Sequence, residues 1–142
     1  MYLDSAVLVK LVVREPDSFF YAGQVDGVTG VWSSDVALTE CWSALFRKQR
    51  EGAIGAATRR TAWRKLERYV ADAAVELVPV DRSILLRANR IIERCFPKVP
   101  VRSFDAIHLA SCEVMNAYPL LTNDERMRAA GLHLRFVLGP LP

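Results

Sequence analysis

Apolar positions along the chain alternate between short continuous runs and stretches with helical spacing. Met1-Tyr2-Leu3 is a brief apolar run ending at Asp4, after which Ser5 opens the helical run Ala6–Val13. Pro16 breaks the pattern, since the residue before a proline is pushed out of the helical region. A short second helix is predicted over Asp17–Asp26, with Phe19, Phe20 and Val25 as its apolar positions, and a strand over Gly27–Ser33. Ser34-Asp35 then starts a helix over Val36–Arg50. Ala37, Leu38, Cys41, Trp42 and Leu45 form its apolar stripe, and Gly52 ends it.

The same alternation continues to the end of the chain. A helix over Ala56–Ala74 turns Trp63, Leu66, Tyr69 and Val70 inward and its arginines outward. Glu76–Val80 reads as a strand, with Pro79 marking its end or an edge position. Asp81 caps a helix with Ile84, Leu85, Ala88, Ile91 and Ile92 on one face, and Phe96–Pro100 is a proline-bounded loop. Ser103-Phe104-Asp105 opens the helix Ala106–Met115, and Tyr118–Thr122 is a strand. Asn123–Ala130 is a short helix stopped by Gly131, and Leu134–Leu138 is the last strand. Strand alternates with helix and no Asn-Gly or Asp-Gly hairpin signal occurs, so the expectation is one α/β/α domain over residues 1–142 with a mainly parallel sheet.

Composition narrows the class. With 51% apolar and 25% charged residues the chain is an ordinary globular domain, and its apolar runs are too short to span a bilayer. A chain that begins directly as a strand leaves no room for a leader, so the expected compartment is the cytoplasm. Cys41, Cys95 and Cys112 form no CxxC pair and share no zinc spacing with His108 or His133; they read as buried free thiols. The net charge of +3 hides an asymmetry. Arg47 to Arg68 holds eight basic residues against Glu51 and Glu67, which leaves the remainder acidic. Such a basic arm is either a solvated helix pair or a guide for a nucleic-acid backbone.

Four acids fall where parallel strands would deliver them to one edge of the sheet. Asp4 ends the first strand, Glu40 lies early in the helix after the second, Asp105 in the first turn after the proline-bounded loop, and Asp124 after Tyr118–Thr122. Each has a plain alternative. Asp4 and Asp124 are good helix caps. Glu40, at about 100° per residue, points away from its helix's stripe and reads as a solvated side chain. Asp105 sits among Phe104, Ala106, Ile107 and Leu109, where a carboxylate needs a partner; His108, one turn on, reads as a hydrogen-bonded core histidine. Carboxylates gathered in one cleft must bind a proton or a cation, and an all-oxygen set selects Mg²⁺ or Mn²⁺ over zinc. Those ions serve phosphoryl chemistry.

Four segments in order carry a resemblance over essentially the whole chain. They are Tyr2-Leu3-Asp4-Ser5-Ala6 with Lys10 and Glu15, Leu38-Thr39-Glu40 with Ser43-Ala44-Leu45, Arg102 through Ala110, and Leu121 through Arg126. Together they resemble PIN-domain ribonucleases, specifically the VapC-type toxins of toxin–antitoxin pairs. The resemblance implies that Asp4, Glu40 and Asp105 hold Mg²⁺ or Mn²⁺, directly or through water, with Asp124 completing the site. It implies that Ser5 and Thr122 orient those carboxylates, and that RNA is cleaved by a metal-activated water. It further implies a VapB-type antitoxin partner and a homodimer. Arg47, Lys48, Arg59, Arg60 and Arg102 are the basic residues expected to meet RNA. Two alternatives stay open: a non-catalytic RNA-binding or scaffolding module, and a PIN-type nuclease of RNA processing. A phospho-acceptor domain would want adjacent acids at the end of the first strand, where this chain has one; an aspartyl phosphatase would want an acid at position 6, where it has Ala6.

Overall fold

The computed structural model describes all 142 residues. In chain order the elements are β1 (Tyr2–Leu3), α1 (Ser5–Val12), α2 (Ser18–Val25), β2 (Trp32–Ser34), α3 (Val36–Arg50), α4 (Ala56–Ala71), β3 (Glu76–Val78), α5 (Arg82–Cys95), α6 (Ser103–Met115), β4 (Leu120–Leu121) and α7 (Glu125–His133). The four strands form one sheet in the order β3-β2-β1-β4, and every pairing is parallel. The register aligns Tyr2 with Trp32 and with Leu120, and Leu3 with Leu121.

Because successive strand residues face opposite ways, each central strand feeds two cores. Tyr2 and Leu120 join α5, α6 and α7 on one face. Leu3 and Leu121 join α1, α2, α3 and α4 on the other. All four of these side chains are essentially inaccessible, and burying each stabilises the fold by roughly 1.5–3 kcal/mol. The chain runs from β1 outward through β2 to β3, then crosses back to place β4 on the far side of β1. The order of strands therefore reverses between β1 and β4. In open α/β sheets this reversal opens the crevice where ligands bind, just beyond the strands' carboxyl ends. Asp4 and Thr122 are the residues that directly follow β1 and β4.

Several local expectations are corrected. The strands are shorter than predicted: β2 begins only at Trp32, after left-handed Gly27 and Gly30 at φ 69° and 68°, β3 stops at Val78 before Pro79, which has no N–H to donate, and β4 keeps only Leu120–Leu121. Leu134–Leu138 is not a strand; only Leu138 bridges to Leu120. The helix before it runs through Gly131 to His133 and ends with Arg135 left-handed at φ 64° and Phe136 N–H bonded to Gly131 O at 2.8 Å, a close that turns the chain back so that Val137 and Gly139 bond to Leu120 of β4. Gly131 is buried inside the helix, where a side chain would come 2.8 Å from Leu138 Cδ2, so it serves close packing rather than termination. On α3 the buried stripe is Ala37, Cys41 and Leu45, and Trp42 lies outside it, 41% exposed. On α5 it is Ile84, Ala88, Ile91 and Cys95, so Leu85 and Ile92 face outward. In both helices the neighbouring layer covers a stripe one residue wide, narrower than the apolar pattern suggests. All three cysteines are buried free thiols, as expected.

Candidate active site

Asp4 is formed by two constraints acting on one carboxylate. Oδ1 accepts the Val7 N–H at 2.8 Å, capping α1, and Oδ2 accepts the Thr122 hydroxyl from the end of β4. Thr122 Oγ1 in turn accepts the Asp124 N–H at 3.0 Å, so the ends of β1 and β4 and the start of α7 are tied together. Asp124 caps α7, with Oδ1 accepting from Arg126 N at 2.8 Å and Met127 N at 2.9 Å. Asp105 occupies the first turn of α6, where Oδ2 accepts from Arg102 N at 3.3 Å. Capping and site membership are thus not alternatives for Asp4 and Asp124.

The electrostatics join these aspartates. Burial pushes the Asp4 carboxyl above its usual range, and the Asp124 charge adds to this against the Thr122, Val7 and His108 contributions. Asp105 is raised for the same two reasons, burial first and then Asp124, outweighing its bond from Arg102. Geometrically, Asp124 is tied to Asp4 through Thr122, whose Oγ1 donates to Asp4 and accepts the Asp124 N–H.

Glu40 is held differently. It is 25% exposed rather than fully solvated, which corrects the expectation from its helical position. Oε2 accepts from Ser5 Oγ and lies 2.7 Å from His108 Nε2. Burial alone would raise Glu40, but His108 and Ser5 outweigh it and hold the carboxyl below its ordinary value. His108 is buried, and its Nδ1 lies 2.8 Å from Tyr2 Oη, whose proton burial holds far above the ordinary range. With Glu40 ionised, Nε2 must carry a proton to face it, while Nδ1 shares its hydrogen bond with the Tyr2 hydroxyl. The core-histidine reading of His108 is correct, and its link to Glu40 is what sequence reasoning missed. The missed signal was Tyr2, whose hydroxyl, if buried, had to find a partner.

Beside these acids opens a cleft of about 550 Å³ whose walls include Glu40, Lys10, Arg47 and Lys48. It is also lined by Ser5, Phe104 and Asn123, which are the immediate neighbours of Asp4, Asp105 and Asp124. Lys48 and Lys10 both pair with Glu15, at 2.7 and 2.8 Å, and Lys10 also with Asp17 at 2.8 Å. Arg47 carries the cleft's other positive charge. Of the remaining basic residues singled out, Arg59 and Arg60 lie on α4, and Arg102 precedes α6.

No three Asp, Glu, His or Cys side chains converge on one point within reach of a single ion, and Glu40 Oε2 lies 2.7 Å from His108 Nε2. The donor chemistry nonetheless suits a hard cation. Glu40 Oε1, Asp105 Oδ1 and Asp124 Oδ2 accept no protein hydrogen bond, while Asp4 and Asp105 sit in an environment that disfavours their charge.

An all-parallel sheet with acids gathered at its switch point and a basic-walled cleft beside them is the architecture of a PIN domain. A profile of the PIN domain family matches residues 1–132, and the chain belongs to that family. It is 33% identical over 132 residues to Ribonuclease VapC46 of Mycobacterium tuberculosis, an alignment covering 92% of this chain and 88% of that protein.

Proposed function

We propose that the protein is a metal-dependent endoribonuclease and the toxin of a toxin–antitoxin pair. The observation that carries this reading is the placement of Asp4, Asp105 and Asp124 at three helix starts, whose neighbours Ser5, Phe104 and Asn123 line the same cleft as Glu40. The likeness to a protein named as a VapC ribonuclease supports it. Asp4, Asp105, Asp124 and Glu40 would hold Mg²⁺ or Mn²⁺. When bound there, such an ion supplies Lewis acidity to a scissile phosphate and lowers the pKa of water.

The chain's own residues do the rest. Val7 N–H and Thr122 fix the Asp4 carboxylate in one orientation, so no side-chain freedom is lost on binding. Ser5 and His108 hold Glu40 by one oxygen and leave the other free. Arg47, at the cleft wall, neutralises substrate phosphate. Arg59, Arg60 and Arg102 extend that positive surface. The partners in this reading are RNA, a VapB-type antitoxin and a second copy of the chain. No helix is long and apolar enough to cross a membrane, and three unpaired buried thiols suit the reducing cytoplasm.

The test is cleavage of a mixed RNA pool in Mn²⁺ by the wild type, beside Asp4→Asn, Glu40→Gln and Asp105→Asn. Each substitution is expected to slow cleavage by about 100-fold or more, the scale of losing one preorganised electrostatic group, and EDTA to abolish it. The reading would be falsified if all three variants cleaved as the wild type does.

A further inference from the structure

The helical positions of α3 form a continuous band around its axis. At about 100° per residue, the buried stripe of Ala37, Cys41 and Leu45 is followed by Trp42, Phe46, Arg50, Ser43, Arg47 and then Glu40. Between the core and the candidate active site, therefore, lies a surface of aromatics grading into arginines. Trp42 and Phe46 are 41% and 44% exposed, although aromatic burial is worth more than that of most side chains.

This surface is built rather than loose. The Trp42 ring packs edge to face on Trp63 of α4 at 4.7 Å and on Phe46 at 5.0 Å. The Arg59 guanidinium lies 4.1 Å from the centre of the Phe46 ring and 5.6 Å from that of Trp42. Gln49 fixes its orientation by accepting from Arg59 Nε at 2.7 Å. Two depressions flank Trp42. One, of about 180 Å³, lies between Trp42, Trp63 and the arginines Arg59, Arg60 and Arg64. The other, of about 490 Å³, lies between Trp42, Phe46, Arg47 and Arg50. No acid lines either, and the second shares Ser43 and Arg47 with the cleft that holds Glu40.

We propose that this band is a base-stacking subsite for single-stranded RNA, holding nucleotides that flank the bond cleaved beside Glu40. The inference rests on the nuclease reading and adds where the substrate's bases go. Exposed ring faces and a fixed guanidinium plane are the groups that bind unpaired bases, and arginines between them suit the phosphates. Continuity through Arg47 lets one strand occupy both the band and the cleft. A second copy of this chain is a poor occupant, because a two-fold contact would bring like arginine clusters together. An acidic protein segment is the competing occupant, and the test separates the two.

The measurement is equilibrium binding of a short labelled oligoadenylate, in EDTA to prevent cleavage, beside an abasic oligomer with the same number of phosphates. Trp42→Ala and Phe46→Ala are each expected to weaken oligoadenylate binding about tenfold, within the range for losing one stacked base, with little change in salt dependence. Trp42→Phe should restore most of the affinity, and the wild type should bind the abasic oligomer about as weakly as Trp42→Ala binds oligoadenylate. Thermal melts confirm that each variant is folded. Equal binding of the two oligomers by the wild type, or wild-type affinity in Trp42→Ala, would overturn the proposal. So would a Trp42→Ala variant that binds oligoadenylate normally but loses a purified acidic antitoxin. If no RNA is cleaved in Mn²⁺ while stacking-dependent binding persists, the nuclease reading falls and takes with it the placement of these nucleotides beside a cleaved bond; if cleavage occurs without dependence on Trp42 or Phe46, only the subsite falls.

Discussion

Tyr2→Phe isolates the buried relay that holds Glu40. The substitution removes a single hydroxyl from a side chain with no solvent exposure, so it leaves packing and surface charge unchanged. What it removes is the 2.8 Å bond to His108 Nδ1, leaving a buried ring nitrogen without that partner. An unsatisfied buried polar group costs about 1–3 kcal/mol. For a domain of this size that lowers the melting temperature by about 3–9 °C, taking roughly 3 °C per kcal/mol. The informative assay is a double-mutant cycle with Glu40→Gln, read by thermal or denaturant unfolding in EDTA. If Tyr2 acts on Glu40 through His108, the two substitutions are coupled, with an interaction energy of roughly 0.5–1.5 kcal/mol. Cleavage should also fall in Tyr2→Phe, since the altered atom is remote from any substrate and reaches the cleft only through Nε2 and Oε2, 2.7 Å apart. Additivity within about 0.3 kcal/mol, with full cleavage by Tyr2→Phe, would refute the relay.

Other outcomes follow from the same charges. Asp4 and Asp105 have raised carboxyl pKa values, so their ionisation opposes folding; in EDTA, their contribution to stability should decline as pH rises through those raised values. Glu40 has the opposite sign, contributing stability above its unfolded pKa that is lost as pH falls through the lowered folded value. Mn²⁺ should therefore raise the melting temperature more at neutral pH than at pH 4, by an amount equivalent to about 2.7 kcal/mol at a hundredfold excess over Kd; an equal rise at both pH values would count against carboxylate binding. Lys10→Ala should cost about 2 kcal/mol in chemical denaturation, because it leaves Glu15 and Asp17 facing each other without the ammonium that bridges them at 2.8 Å; an unchanged midpoint would show the network to be dispensable. Burial pushes the Cys41 and Cys112 thiols up to about 12, so a thiol reagent at pH 8 should label neither until the chain unfolds; rapid labelling of the native protein would contradict the buried assignment.

The sheet was legible because three of its four strands, β1, β3 and β4, are rich in apolar residues and are followed closely by a recognisable helix start. Asp4, Asp81 and Asp124 mark those starts, and all three accept backbone N–H bonds in the structure. Legibility failed where geometry depends on the neighbouring layer. Trp42, Leu85 and Ile92 fit an apolar stripe but lie beyond what the adjacent helix covers, a width that helical periodicity does not encode. Gly131 reads as a stop signal because glycine so often ends helices, yet its missing side chain makes room for Leu138, a residue that arrives only after the chain has turned back. For Glu40 the helical wheel located the side chain correctly on the face away from the core stripe. It could not show that Ser5 and His108, distant in sequence, would be waiting on that face.

The clustering of acids at this edge would be costly if each were simply buried. Asp4, Asp105 and Asp124 all lie at helix N-termini, where unpaired N–H groups and the helix dipole favour negative charge. α1 and α7 leave the sheet at this edge after β1 and β4, and α6 starts beside them before the chain returns to β4, so three positive helix ends face the same cleft. That offsets part of the repulsion, while burial still disfavours the charge of Asp4 and Asp105 and raises their carboxyl pKa values. A site assembled in this way can fold with its acids in place and still gain stability from a cation. The property requires both features together: helix starts alone would leave no deficit for an ion to fill, and buried acids without those helix starts would resist folding.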